Sequence, residues 1–525
     1  MPNVELIIGL LAVIALLGAL AERAGLPYPP VLVIGGLLLG LVPGLPAIHL
    51  QPNVVLFGFL PPLVYAAAYR AASFDLASQA THIVTLATGL VLFTVALAAV
   101  AGHLVAGLPW AAAFVLGALS APTDPISASA IVRQIGAPER IVTILEGESL
   151  INDGTGLAAF QVAIASAAGG ISISHGIFEF VAIAVGGVAI GIAAGWLLVF
   201  LRRQLDEPSL EVAIGLLGAF ASYAAADAAG CSGVLAAVAA GLVVGRRAEG
   251  ISSPEVRLRV EPFWDALSFL LESLLFLLIG LQLPSVVDGL PGGGTWTGVA
   301  DGVAIIATVI AVRFLWMFVS ERGLSLAARI VRPGIEPIPP SELTVLGWSG
   351  MRGAVSLAGA LSIPVAAGSH AFPARDQIIF LIYCVVIGTL IVPSFTLGPL
   401  VRRLGLAQNA QLLEQEIHAR IRVNHAALAR LEELAGEHEP PEDLLSRLRG
   451  IYELRLTRLE TRLRHDESSS VAHDDASPPL QQLRQELIDA EREAVGEIRS
   501  ERSVPAEVLG RISHDIDLEE ARLRK

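Results

Sequence analysis

The chain has 525 residues, 54% of them apolar and only 16% charged, against roughly 25% charged residues in an ordinary soluble domain; a soluble enzyme is excluded for most of its length. Residues 1–403 hold 42 charged side chains and residues 404–525 hold another 42, so the first part suits lipid and the second water. The net charge of −14 is negative in both parts and offers nucleic acid no basic surface, while Cys231 and Cys384 form neither a disulfide framework nor a zinc spacing.

Glu5, with no Lys or Arg before Arg23, is the reverse of a signal peptide's basic start, so the apolar run from Val4 reads as a spanning helix. A hydrocarbon core about 30 Å thick takes roughly 20 apolar residues of helix. At that length thirteen segments emerge, near 4–21, 29–46, 53–70, 80–104, 110–131, 141–168, 174–201, 210–228, 231–245, 264–283, 299–320, 341–366 and 376–401. Beyond 403 the pattern becomes amphipathic helix around 407–435, 442–464, 480–500 and 505–524, broken at Glu439-Pro440-Pro441 and from His465 to Pro479. Leu412, Leu413, Ile417 and Ile421 form a helical stripe; with no nucleotide loop or metal cluster, the tail reads as a regulatory or interaction element.

Orientation follows from arginine placement. The connections after odd-numbered segments hold fifteen arginines, and those after even-numbered segments hold Arg375 alone. The odd side is therefore cytoplasmic, which places the N-terminus outside and the tail inside the cell. The expected fold is all-α and polytopic, with about 13 transmembrane helices and a helical cytoplasmic tail, in the cell membrane.

Two segments cannot be continuous helices. In Ser120-Ala121-Pro122-Thr123-Asp124-Pro125 the prolines remove amide donors and disfavour helix before each ring. Segment twelve carries Gly347-Trp348-Ser349-Gly350-Met351-Arg352-Gly353. Broken backbone at that depth is tolerated where it lines a cavity, and paired interruptions in matching halves point to an inverted-repeat transporter with its ion site at the crossing. Close helix packing would account for the glycines but not for the arginine and aspartate beside them.

Ionisable groups inside hydrocarbon cost about 3 kcal/mol or more each, so each is a functional candidate: Asp124, Glu148, Asp153, Arg313, Arg352 and Glu272. In segment six Ser149 and Asp153 are four apart and share a helix face, while Glu148 and Asn152 share the next. Asp153 and Asp124 with oxygens of Ser149 and Thr123 make a hard-oxygen set suited to a small cation, where sodium and protons compete. Asp153 is the first candidate carrier and Asp124 the second. Glu148 needs a positive partner, and spacing leaves Arg313 and Arg352 both open.

With these pieces in order, the chain resembles the monovalent cation/proton antiporters of the sodium/proton exchanger family, bacterial NhaP-like branch. The matching motifs are Leu60-Pro61-Pro62, Thr123-Asp124-Pro125, Glu148-Ser149 with Asn152-Asp153, Phe276-Leu277-Leu278-Ile279-Gly280 and Arg352-Gly353-Ala354-Val355, and the likeness covers residues 4–403. It implies a thirteen-helix fold with inverted repeats, a homodimer, and a core domain that carries Na+ or H+ past a dimerisation domain without any cofactor. It further implies that Asp153 binds the ion and exchanges the proton, that Asp124, Thr123 and Ser149 complete the site, and that Glu148 is braced by arginine and Asn152. The Asn152-Asp153 pair is typical of electroneutral members. Many relatives place an acid where this chain has Ala66, and some have asparagine where it has Glu272, a further candidate contributor. The alternatives are a K+/H+ exchanger or cation channel using the same carboxylates, and a membrane-anchored signalling protein whose tail is the working part.

Overall fold

The computed structural model describes residues 2–42, 54–72, 76–124, 126–169, 173–204, 207–251, 254–288, 295–330, 337–367, 370–407, 417, 421–432, 435 and 442–466. Within them, each of the thirteen apolar segments coincides with helix. The chain opens with α1 (Pro2–Ala24) and α2 (Tyr28–Gly40); a π-helical stretch, Val54–Phe59, then runs into α3 (Leu60–Ala71). Segment four is α4 (Ala80–Val84), a π-helical stretch Thr85–Leu90, and α5 (Val91–Leu104). Segment five is split into α6 (Trp110–Ser120) and α7 (Ile126–Gln134). Five long helices follow: α8 (Glu139–Gly169), α9 (Ile173–Arg202), α10 (Pro208–Ala228), α11 (Gly233–Ile251) and α12 (Pro254–Asp288). After α13 (Thr295–Ile330), segment twelve is again split, into α14 (Pro340–Trp348) and α15 (Ala354–Leu361), and α16 (Arg375–Arg403) closes the membrane part.

Among the described residues, six helices are long and apolar enough to cross a membrane: Ala80–Leu104, His175–Arg202, Ser209–Ala228, Arg259–Pro284, Trp296–Leu324 and Arg375–Arg403. The split segments lie outside that set for the reason the sequence indicates, since α6, α7, α14 and α15 are each half a span. Among the described residues the regular structure is helical apart from one antiparallel pair, Ala366–Ala367 with His370–Ala371. Prolines sit in the first turns of α2, α3, α10 and α14, where the missing N–H has no helical partner to lose.

Burial follows the lipid rule rather than the aqueous one. Along α9, Ile177, Val181, Val185, Val188, Ile192 and Trp196 are all exposed, an apolar stripe at helical spacing of the kind a membrane helix turns away from its own chain. The charged groups Glu148, Arg313 and Arg352 are instead buried.

The helices pack in two groups. In the first, α2 lies along α12, while α11 packs on α3, α9 and α10. Gly36 of α2 and Gly280 of α12 make the first of these contacts close: a Cβ on Gly36 would strike the Leu277 carbonyl, and one on Gly280 the Val33 carbonyl. In the second group α5 packs on α6, α6 on α8, and α13 on α5 and α16. Each interrupted helix belongs to this second group, in matching order: α5, α6–α7, α8 and α13, α14–α15, α16.

The chain separates into two compact units, Met1–Asn409 and Ala410–Lys525. In the second, residues 421–432 and Glu442–Asp466 are helical. The helices expected at 480–500 and 505–524 lie outside the described residues, as do Pro125, Leu412 and Leu413.

Candidate ion-binding site

The site is built from the two breaks. α6 ends at Ser120 and α14 at Trp348, and the non-helical segments that follow cross in contact: the Asp124 amide donates to the Met351 carbonyl at 2.7 Å. The crossing is tight enough that a Cβ on Gly353 would strike the Asp124 carboxyl, so glycine is the residue that lets the second chain pass. Asp124 thereby sits just before α7 and against Gly353, the residue preceding α15. Both N-terminal ends carry partial positive charge, which favours a carboxylate.

Arg352 occupies the opposite ends. Its Nε donates to the Ser120 carbonyl at 3.0 Å and its Nη1 to the Gly350 carbonyl at 2.6 Å, so a cation caps the C-terminal ends of α6 and α14, where carbonyls lack helical partners. Its own amide is held by the Thr389 hydroxyl of α16 at 3.1 Å. Arg352 is thus tied to backbone carbonyls.

The arginine that meets Glu148 is Arg313. Nη1 and Nη2 donate to Oε1 and Oε2 at 2.6 and 2.8 Å, a bidentate pair between α13 and α8, and Nε donates to the Leu346 carbonyl at 3.1 Å. Both residues are nearly inaccessible, at 2% and 1%. The Thr123 hydroxyl donates to Glu148 Oε1 at 3.0 Å and accepts from Asn152 Nδ2 at 2.6 Å; the same amide reaches the Thr123 carbonyl at 3.3 Å. One continuous network therefore joins α13, α8 and the first break at the residue before Asp124. Glu148 and Asn152, on one face of α8, make this brace.

The neighbouring face of α8 turns to a cavity of about 940 Å³ between the two helix groups, lined by Asp153, Ser149, Asp124 and Thr123 and, from α12, by Glu272. Two carboxylates, Asp153 and Asp124, therefore share one space, and like charges there disfavour one another. Arg70, Arg133 and Glu146 line the same cavity, with Arg70 paired to Asp265 at 2.8 Å and Arg133 within 3.5 Å of Glu146. Arg70 and Arg133 belong to the arginine-rich side.

The residues singled out in the sequence thus divide by location. Asp153, Asp124, Ser149, Thr123 and Glu272 border one space, while Glu148, Asn152 and Arg313 form a brace beside it and Arg352 caps the helix ends. Among the described residues no group of three or more His, Cys, Asp and Glu is arranged to hold a metal ion through such side chains alone. Sequence reasoning missed Tyr28, whose hydroxyl donates to Glu272 Oε2 at 2.9 Å, and Thr389. Neither stands in an unusual pattern, since tyrosine before two prolines and threonine within an apolar helix are ordinary neighbours.

The family profile described as "Sodium/hydrogen exchanger, transmembrane" matches residues 9–403. The chain belongs to this family. It is 32% identical to an uncharacterised Na+/H+ exchanger of Mycobacterium tuberculosis over 99% of its own length and 97% of the relative's. It is also 31% identical to the Na+/H+ antiporter ApNhaP of Aphanothece halophytica, covering 88% of this chain and 85% of that one. The solved sodium proton antiporter MjNhaP1 of Methanocaldococcus jannaschii superposes with a TM-score of 0.59 at 19% identity, over 78% of this exchanger and all of that chain. The exchanger's profile match ends at the close of α16 and leaves the tail outside.

Proposed function

We propose that this exchanger moves Na+ one way and H+ the other across the cell membrane by alternating access, one for one, with Asp153 as the group that takes either. The observation that carries this reading is the juxtaposition of Asp153, Asp124 and Ser149 on one cavity at the crossing of two broken helices. A carboxylate there takes a cation or a proton in turn, because an unpaired charge in a low-dielectric site is costly. Asp124 and the Ser149 hydroxyl supply further oxygens for a small hard cation, and Thr123 acts as a positioning residue through its bonds to Glu148 and Asn152.

The cavity adjoins Arg70 and Arg133, on the arginine-rich side, which supports a cytoplasm-facing cavity, an external N-terminus and an internal tail. The second helix group holds both breaks and moves as the carrier; the first supplies the stationary wall and, in a homodimer, the subunit contact. The tail modulates pH response. Net electroneutrality is what the likeness of the Asn152-Asp153 pair to electroneutral members of the family supports.

The test is proton flux into proteoliposomes with an internal pH dye, adding sodium, lithium and potassium in turn with the membrane potential clamped. Saturable sodium-dependent flux that ignores the clamp and disappears in Asp153→Asn is the expected result. Sodium-driven proton movement retained in Asp153→Asn would remove Asp153 from the carrier role.

A further inference from the structure

The α12 wall of the same cavity carries a second set of oxygens. Glu272 and Ser268 are four apart on α12 and so share a helix face, and both line the cavity. Each is buried, at 7% and 4% exposure. Among the described residues the buried Ser268 hydroxyl meets no hydrogen-bond partner, although a buried polar group normally has one. Glu272 is held in place: the Tyr28 hydroxyl donates to Oε2 at 2.9 Å, and the Tyr28 ring packs edge-to-face on Phe269 at 5.4 Å. That leaves Oε1 for another ligand. The hydroxyls of Ser129 and Ser356, also buried and without a hydrogen-bond partner among the described residues, line the cavity from α7 and α15.

This arrangement differs from the carrier site in where it is mounted. α12 packs on α2 through the Gly36–Gly280 contact, in the group that contains no interrupted helix, whereas Asp153 belongs to the group that holds both breaks. We propose that Glu272, with the Ser268 hydroxyl and oriented by Tyr28, forms a second, stationary site for a dehydrating monovalent cation, occupied between the cavity mouth and Asp153. The inference rests on the reading that this exchanger carries sodium past this wall. A fixed carboxylate facing the carrier raises the local cation concentration and supplies oxygens that replace water while the ion is in transit. Because α12 does not carry the ion across, Glu272 sets the affinity on the cavity side and leaves the number of ions per turnover unchanged.

The experiment compares full-length variants in proteoliposomes. With only Glu272→Gln changed, the apparent KM for sodium on the cavity side is expected to rise about tenfold while the maximal rate stays within about twofold, the signature of lost binding rather than lost carrying. In Asp153→Asn, a sodium concentration jump on a solid-supported membrane is expected to give a saturable charge displacement without turnover. Adding Glu272→Gln is expected to cut that displacement about tenfold. An unchanged KM in Glu272→Gln, or a displacement equal in Asp153→Asn with and without Glu272→Gln, overturns the second site. Steady exchange in Asp153→Asn would instead overturn the carrier assignment, and the displacement comparison still judges Glu272. Should Glu272→Gln fail to reach the membrane, Ser268→Ala removes one hydroxyl and is expected to raise the KM about threefold; no change there overturns the proposal equally.

Discussion

Removing the Arg313 side chain is the sharpest test of how the site is held. In Arg313→Ala, Glu148 loses both guanidinium bonds, at 2.6 and 2.8 Å, and keeps one partner, the Thr123 hydroxyl. The Leu346 carbonyl loses its 3.1 Å donor as well. A carboxylate only 2% exposed is then left without its counter-charge, and breaking one partner from such a pair costs about 3–5 kcal/mol. At about 2 °C per kcal/mol, the low end for domains of some 200 residues, this lowers the apparent Tm by about 6–10 °C. Glu148→Gln in the Arg313→Ala background removes the stranded charge and should recover part of that loss. The assay is thermal unfolding of the purified protein in detergent for the two single variants and the double, read as a cycle. Independent, additive shifts, or an Arg313→Ala Tm within about 1 °C of the parent, would refute the brace.

Two further outcomes follow from the same geometry. Gly353→Ala puts a methyl group into the Asp124 carboxyl, and since the Asp124 amide is fixed to Met351 the carboxyl must turn away; sodium-dependent flux in proteoliposomes should fall about tenfold or more, and full activity would mean the crossing is loose. Truncation after residue 409, the end of the first compact unit, should leave sodium-driven proton flux in place and shift its pH dependence, whereas loss of all transport would make the tail part of the carrier.

Much of the site was legible before the structure because buried charge is expensive in lipid. Asp124, Glu148, Asp153, Arg313 and Arg352 stand out against apolar neighbours, and Pro122 and Gly350 mark breaks whatever the fold. The i, i+4 spacing puts Ser149 and Asp153 on one face and Asn152 and Glu148 on the next; the first pair lines the cavity, and the second bonds to Thr123 and, through Glu148, to Arg313. Pairing was not legible: Glu148 had two arginines to choose from, separated from it by 165 and 204 positions, and only the packing of α13 against α14 brings Arg313 to it. Helix lengths were also blurred. The hydropathy of segments ten and eleven stops near 264 and 320, yet α12 starts at Pro254 and α13 runs to Ile330, because backbone hydrogen bonding rather than hydropathy sets where a helix ends.

The two breaks explain one another. Interrupting two helices at mid-membrane creates four helix ends, two with unpaired carbonyls and two with unpaired amides, each worth roughly half an elementary charge. Arg352 lies on the carbonyls of Ser120 and Gly350, at the two negative ends. Asp124 lies before α7 and against Gly353, at the two positive ends. Each charged residue is therefore stabilised by the ends it meets, and Arg352 is free to leave Glu148 to Arg313. On the proposed reading, a cation at Asp153 would then sit beside an aspartate whose charge the helix ends have partly compensated. Such a site holds a single positive charge without trapping it, which is what exchange between a sodium ion and a proton requires of the same oxygens.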